Sequence, residues 1–107
     1  MTLVEEKCKP CQGGEPTLSV TEAEKLARQV PEWSLEDKAI QRQFGFKDFR
    51  EAIAFVNRVA DIAEGEGHHP DIAISWNKVR LTLTTHKIGG LSRNDFIVAA
   101  KIDKLLS

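Results

Sequence analysis

Three side chains in this 107-residue chain ordinarily titrate near neutral pH: His68, His69 and His86, all in the C-terminal half. Two stand together before Pro70, and the third lies between Thr85 and Lys87. Neutral imidazole donates a proton from one ring nitrogen and accepts one at the other, so the set suits proton transfer on a small polar molecule. Asp95, shortly after the glycine pair Gly89-Gly90, could close the group and orient one ring. Two other readings compete. A His-His-Pro run can be a surface turn with no function. Three histidines and a carboxylate can also bind zinc, although adjacent histidines splay apart on an extended chain and make a shared tetrahedral site hard to build. Nucleophilic catalysis has little support, because both cysteines lie near the N-terminus and no serine sits in a Gly-x-Ser-x-Gly elbow. Gly65-Glu66-Gly67 runs into His-His-Pro instead of a phosphate-binding loop.

Positioning these groups falls to three helices and two strand pairs. Ser19 caps a first helix, with Glu22 three residues on as a capping box requires, and Pro31 stops it. Its apolar stripe is Ala23, Leu26, Ala27 and Val30. Trp33 and Leu35, then Ile40, Phe44 and Phe46 with Arg42 between them, alternate as strands, and a turn at Asp37-Lys38 sets Leu35 opposite Ile40. Asp48 and Glu51 form a second capping box, opening a helix that carries Phe49, Ala52, Ile53, Val56, Val59, Ala60 and Ala63 and ends between Glu64 and Gly67. Ile72, Ile74 and Trp76 alternate, as do Val79, Leu81 and Leu83. A turn at Asn77-Lys78 pairs Trp76 with Val79, Ile74 with Leu81 and Ile72 with Leu83, which places both sets, Trp76 included, on the core face. Continued outward, the ladder sets Asp71 against Thr84 and brings His69 near His86, with Pro70 ending the hydrogen bonding. Ser92 caps a last helix carrying Phe96, Ala99, Ala100 and Leu106, with Asp95 in its first turn. The order α-β-β-α-β-β-α predicts an α+β fold, a four-stranded antiparallel sheet with three helices packed on one face.

Fifteen Lys and Arg against sixteen Asp and Glu give a net charge of -1, which supplies no broad basic field for nucleic acid or an anionic membrane. With 41% hydrophobic and 29% charged residues, the composition is that of one globular domain. No run is long enough to span a bilayer, and Met1 to Lys7 lacks a signal-peptide core, so a cytoplasmic protein is expected. Cys8-Lys9-Pro10-Cys11 could be a redox pair or half of a zinc site, but no histidine lies near it and no βαβ context surrounds it. Residues 1–16 therefore read as a flexible thiol-bearing arm ahead of a single domain at 17–107.

The run Glu64-Gly65-Glu66-Gly67-His68-His69-Pro70, followed by Trp76, His86 and Asp95, resembles the signature of the pterin-4a-carbinolamine dehydratases. That pattern asks for an acid, three residues, His-His-Pro, an aromatic, a later His and then an Asp. The likeness continues through Phe46-Lys47-Asp48-Phe49, Ala54-Phe55-Val56, Gly90-Leu91 and Asp95-Phe96, and so covers residues 17–107. It implies an α+β fold with a four-stranded antiparallel sheet. It also implies dehydration of 4a-hydroxytetrahydropterin to quinonoid dihydropterin, in recycling the tetrahydrobiopterin-type cofactor of aromatic amino acid hydroxylases, with no metal or organic cofactor. Under the resemblance His68 and His86 are the acid–base pair and His69 positions substrate. Pro70, Thr85 and Lys87 shape the pterin pocket, and Glu64 and Asp95 are carboxylates that hold imidazoles in place. The family commonly forms homodimers and homotetramers. Mammalian relatives also serve as dimerisation cofactors for a homeodomain transcription factor, and some members are associated with molybdopterin metabolism. A protein-binding role and a role in that pathway are thus the alternatives. The Cys8-x-x-Cys11 arm resembles an extension seen in some bacterial members.

Overall fold

The computed structural model describes residues 2–10 and 13–106. After a 3-10 turn at Leu3–Glu5 come α1 (Val20–Ala27), β1 (Ser34–Leu35), β2 (Ile40–Gly45), α2 (Phe49–Glu66), β3 (Asp71–Ser75) and β4 (Lys78–Leu83). A second 3-10 turn at His86–Ile88 and α3 (Arg93–Lys104) complete the chain. The four strands form one antiparallel sheet in the order β1-β2-β4-β3, and the element order is the expected one. The core lies between this sheet and the helices, with α3 in contact with both α1 and α2. No helix among the described residues is long and apolar enough to cross a membrane.

Local rules account for the first third. The Ser19 hydroxyl accepts from the Glu22 N–H at 3.1 Å, and the Glu22 carboxylate accepts from the Ser19 N–H at 3.0 Å. Ala23, Leu26 and Val30 are buried as their spacing predicts. Leu35 pairs with Ile40. Arg42, between the buried Ile40 and Phe44, keeps its guanidinium 4.5 Å over the Phe44 ring and bonds Asp103 at 2.7 Å, so its charge is met although its stem is partly covered.

Long-range packing changes the details of α2. Asp48 caps it by accepting from the Glu51 N–H at 2.9 Å, but Glu51 reaches back to the Lys47 N–H at 3.0 Å. The buried stripe is Ala52, Phe55, Val59 and Ala63, while Phe49 and Ala60 face outward. The sequence offers two adjacent apolar stripes, and Phe55 decides between them. Its ring centroid lies 4.8 Å from that of Phe44 and 5.0 Å from that of Phe46.

The second hairpin corrects the expected register by two residues. Ser75 pairs with Lys78, Ile74 with Val79 and Ile72 with Leu81, so the turn is Trp76-Asn77. An even shift keeps the same side chains on the same face, which is why parity alone does not detect it. Asn77 fixes the shift by exchanging two hydrogen bonds with the Phe46 backbone, each 2.9 Å long. Trp76 is thereby expelled from the core into the turn, at φ 52° and 68% exposed. Because β3 is an edge strand, Ile72 and Ile74 are each 40% exposed, whereas Val79, Leu81 and Leu83 on β4 are fully buried. Leu106 lies beyond the end of α3 and is exposed.

The N-terminal segment is likewise not a free arm over residues 2–10. Leu3 is 1% exposed within the core, the Lys101 ammonium donates to the Val4 carbonyl at 2.8 Å, and Arg93 grips Glu6 through two bonds of 2.7 and 2.6 Å. This cover explains why α3 is buried continuously from Asn94 to Ala100. Cys11 lies outside the described residues.

Gly67 ends α2 at φ 67° and donates its N–H to the Ala63 carbonyl at 2.9 Å. A Cβ there meets nothing within 4 Å, so only the left-handed backbone requires glycine. Gly67→Ala is expected to cost about 1 kcal/mol in urea unfolding, and an unchanged midpoint would refute this account of the cap.

Candidate active site

Two chain reversals build the site. In the first, α2 ends at Gly67, and the His68 N–H still donates back to Ala63 at 3.2 Å, so the two histidines leave the helix on a fixed path into β3. In the second, β4 runs through Thr85 into the His86–Ile88 turn, Gly89 reverses the chain at φ 70°, and a Thr85–Gly90 bridge delivers it to the start of α3. Both reversals border one cleft of about 410 Å³, lined by His68, His69, His86, Thr85 and Lys87 among others. Pro70 is buried and does not line the cleft.

The deepest element is an imidazole–carboxylate pair. His68 Nε2 lies 2.6 Å from Asp95 Oδ1, and the Asp95 side chain is fully buried. The other Asp95 oxygen accepts from the Thr85 hydroxyl and the Ser92 N–H, both at 2.9 Å. A carboxylate held on three sides cannot swing away, so it fixes the ring of His68, whose side chain is 13% exposed. A proton on His68 Nε2 is shared with Asp95, which leaves Nδ1 as the nitrogen free to exchange one. The other two histidines are arranged differently. His69 Nε2 meets Glu64 Oε2 at 2.6 Å, with both side chains more than half exposed. His86 Nε2 stands 3.9 Å from Asp71 Oδ2 and is 77% exposed.

The structure thus brings the three histidines to one cleft and gives each its own carboxylate. The described residues do not gather three His, Cys, Asp or Glu donors around a point. Glu64 faces His69 and Asp95 faces His68. Asp71 as the partner of His86 was not legible in the sequence, because the expected register set Asp71 against Thr84, where the structure pairs it with Thr82. Further residues that line the cleft also escaped the reading, Asn94, Glu66, Cys8, Lys9 and Pro10 among them. A buried carboxylate inside the otherwise apolar run Asp95 to Ala100 is the kind of signal that could have marked this turn of α3.

Cys8 contributes no nucleophile here. Burial and the Glu66 carboxylate push its thiol up to about 12, so it stays protonated at neutral pH. Burial also raises Glu66, but the Cys8 N–H and the Lys101 and Lys7 ammoniums outweigh that and hold it below the usual carboxylate range.

Known proteins resemble this chain over most of its length. The family model described as pterin 4 alpha carbinolamine dehydratase matches residues 16–105. A Rubrobacter xylanophilus protein, provisionally named a pterin-4-alpha-carbinolamine dehydratase, is 50% identical over 104 residues, covering 96% of this chain and 97% of the relative. A Methylococcus capsulatus protein with the same provisional name is 51% identical over 106 residues, covering 97% of this chain and 93% of the relative. Among solved structures, a transcriptional coactivator/pterin dehydratase from Brucella melitensis superimposes with a TM-score of 0.80 at 33% identity, over 85% of this chain and 99% of that one.

Proposed function

This chain belongs to the pterin 4 alpha carbinolamine dehydratase family, and from that premise we propose that it converts a 4a-hydroxytetrahydropterin to the quinonoid dihydropterin and water. The observation that supports this most directly is the buried Asp95–His68 pair, 2.6 Å apart, in a cleft shared with His69 and His86. The reaction breaks the C4a–O bond and forms a C4a=N5 double bond. One proton goes to the departing hydroxyl and one leaves N5. No electrons leave the substrate, so the step balances without an oxidant or reductant.

His68 and His86 divide the two proton transfers. The ring that starts protonated gives its proton to the leaving oxygen, and the neutral ring takes the proton from N5. Asp95 holds His68 and stabilises its charged form while that proton is in transit. His69, held by Glu64, positions the heterocycle, and Thr85 and Lys87 complete the edge beside His86. In this reading the enzyme works in the cytoplasm, regenerating a tetrahydrobiopterin-type cofactor. The test is the ultraviolet absorbance of freshly generated 4a-hydroxytetrahydropterin. Micromolar enzyme should accelerate its loss well above the buffer rate, and an unchanged rate would overturn the assignment.

A second, compatible reading concerns assembly. Strand β3 presents an unpaired edge, all five of its residues exposed, beside the projecting Trp76. Such an edge favours pairing with a second copy into a homodimer or homotetramer, or with a protein partner, and the Brucella melitensis relative is described as a coactivator. Light scattering distinguishes these outcomes from a monomer.

A further inference from the structure

The segment Cys8-Lys9-Pro10 has no part in the chemistry above, yet all three residues line the same cleft as the histidines. Their place there is built. Asn94, 8% exposed, grips the Lys9 backbone from both sides, its side-chain oxygen accepting from the Lys9 N–H at 3.0 Å and its amide nitrogen donating to the Lys9 carbonyl at 2.6 Å. One residue earlier, the Cys8 N–H donates to Glu66 Oε1 at 2.9 Å. The Glu66 carboxylate lies in turn 3.7 Å from the Lys101 ammonium. These anchors adjoin the reacting groups along the chain: Asn94 precedes Asp95, and Glu66 stands two residues before His68.

We propose that Cys8–Pro10 is a substrate-binding wall of the pterin cleft and that Asn94 is the positioning residue that holds it there. The proposal rests on the dehydratase reading and extends it to a segment outside the histidine constellation. A flat heterocycle needs an apolar surface against its face. The Lys9 stem and the Pro10 ring offer one, and Pro10 brings no N–H that would need a partner. Both backbone amides that could compete for substrate, those of Cys8 and Lys9, are already committed to Glu66 and Asn94. The wall therefore contributes binding, while proton transfer stays with the histidines.

Asn94→Ala removes both clamp bonds and leaves the Asp95–His68 contact in place. It is expected to raise KM about 5- to 30-fold, the worth of one or two hydrogen bonds, with kcat within about 2-fold of wild type. A second variant, Lys9→Ala with Pro10→Ala, strips the wall's side chains but keeps the backbone clamp, and should raise KM in the same way if Asn94→Ala folds poorly. Amide exchange gives a readout apart from turnover. Asn94→Ala should speed exchange in the peptide carrying Cys8 and Lys9, and 7,8-dihydrobiopterin should slow that exchange in the wild type but not in the variant. Faster exchange with an unchanged KM would overturn the wall, and unchanged exchange would overturn the role of Asn94. A wild-type protein that neither turns over the hydroxypterin nor binds dihydrobiopterin overturns the dehydratase reading itself, an outcome distinct from an active enzyme indifferent to Asn94.

Discussion

His68→Ala should lower kcat about 10²–10⁴-fold, the range usual for losing a positioned acid or base, while the protein remains folded. The ring is the one imidazole of the cleft that is mostly covered, and its Nε2 is committed to Asp95 at 2.6 Å. Removing it leaves the Asp95 carboxylate with two donors, the Thr85 hydroxyl and the Ser92 N–H, and opens space for water to serve as the third. The stability cost is therefore that of one charge-assisted hydrogen bond, about 1–3 kcal/mol. His86→Ala provides the contrast. At 77% exposed and 3.9 Å from Asp71, that ring contributes almost nothing to folding, yet its loss should lower kcat on the same scale if it carries the second proton. Stopped-flow turnover alongside urea unfolding separates the two effects. Full activity in the double variant would exclude this acid–base pair.

The contrast between these histidines also shows what could be read from residues alone. Features set by near neighbours in the chain were legible: the Ser19–Glu22 box, the Leu35–Ile40 pair and the end of α2 within Glu64 to Gly67. Features decided by contacts distant in sequence were not. Choosing between two apolar stripes on α2 required the Phe44 and Phe46 rings against Phe55. The register of β3 on β4 required Asn77 to lock onto Phe46, since parity tolerates an even shift and a tryptophan at φ 52° contradicts ordinary turn chemistry. That same shift explains the partial view of the site. The convergence of the histidines and the place of Asp95 beside them were visible, but the neighbour of His86 was hidden because Asp71 had been assigned to another rung. Leu3 and Asn94 gave no periodic signal at all. Each acts through a partner on the far side of the sequence, Leu3 through the core it enters and Asn94 through Lys9.

Asp95 is where folding and chemistry meet, and two substitutions separate them. Asp95→Ala strips His68, Thr85 and Ser92 of a shared acceptor in a fully buried place. That should cost about 3–5 kcal/mol, as for breaking a buried hydrogen-bonded charge pair. Loss of activity in that variant would then be hard to distinguish from partial unfolding. Asp95→Asn keeps the shape and one acceptor oxygen, and the Thr85 hydroxyl and Ser92 N–H can still be served, so its stability cost should be nearer 1 kcal/mol. Its amide nitrogen cannot accept from His68, however. Facing an N–H donor, the ring must present Nε2 as an acceptor and move its proton to Nδ1, the nitrogen needed to exchange protons in the cleft. The charge that would stabilise protonated His68 disappears as well. Asp95→Asn is therefore expected to lower kcat about 10²–10⁴-fold, as reversal of a catalytic tautomer does elsewhere, with a melting temperature close to wild type. Nitrogen-15 shifts of the His68 ring would show the proton changing places. A stable Asp95→Asn enzyme with full kcat would assign this carboxylate to folding alone and leave His68 to act without it.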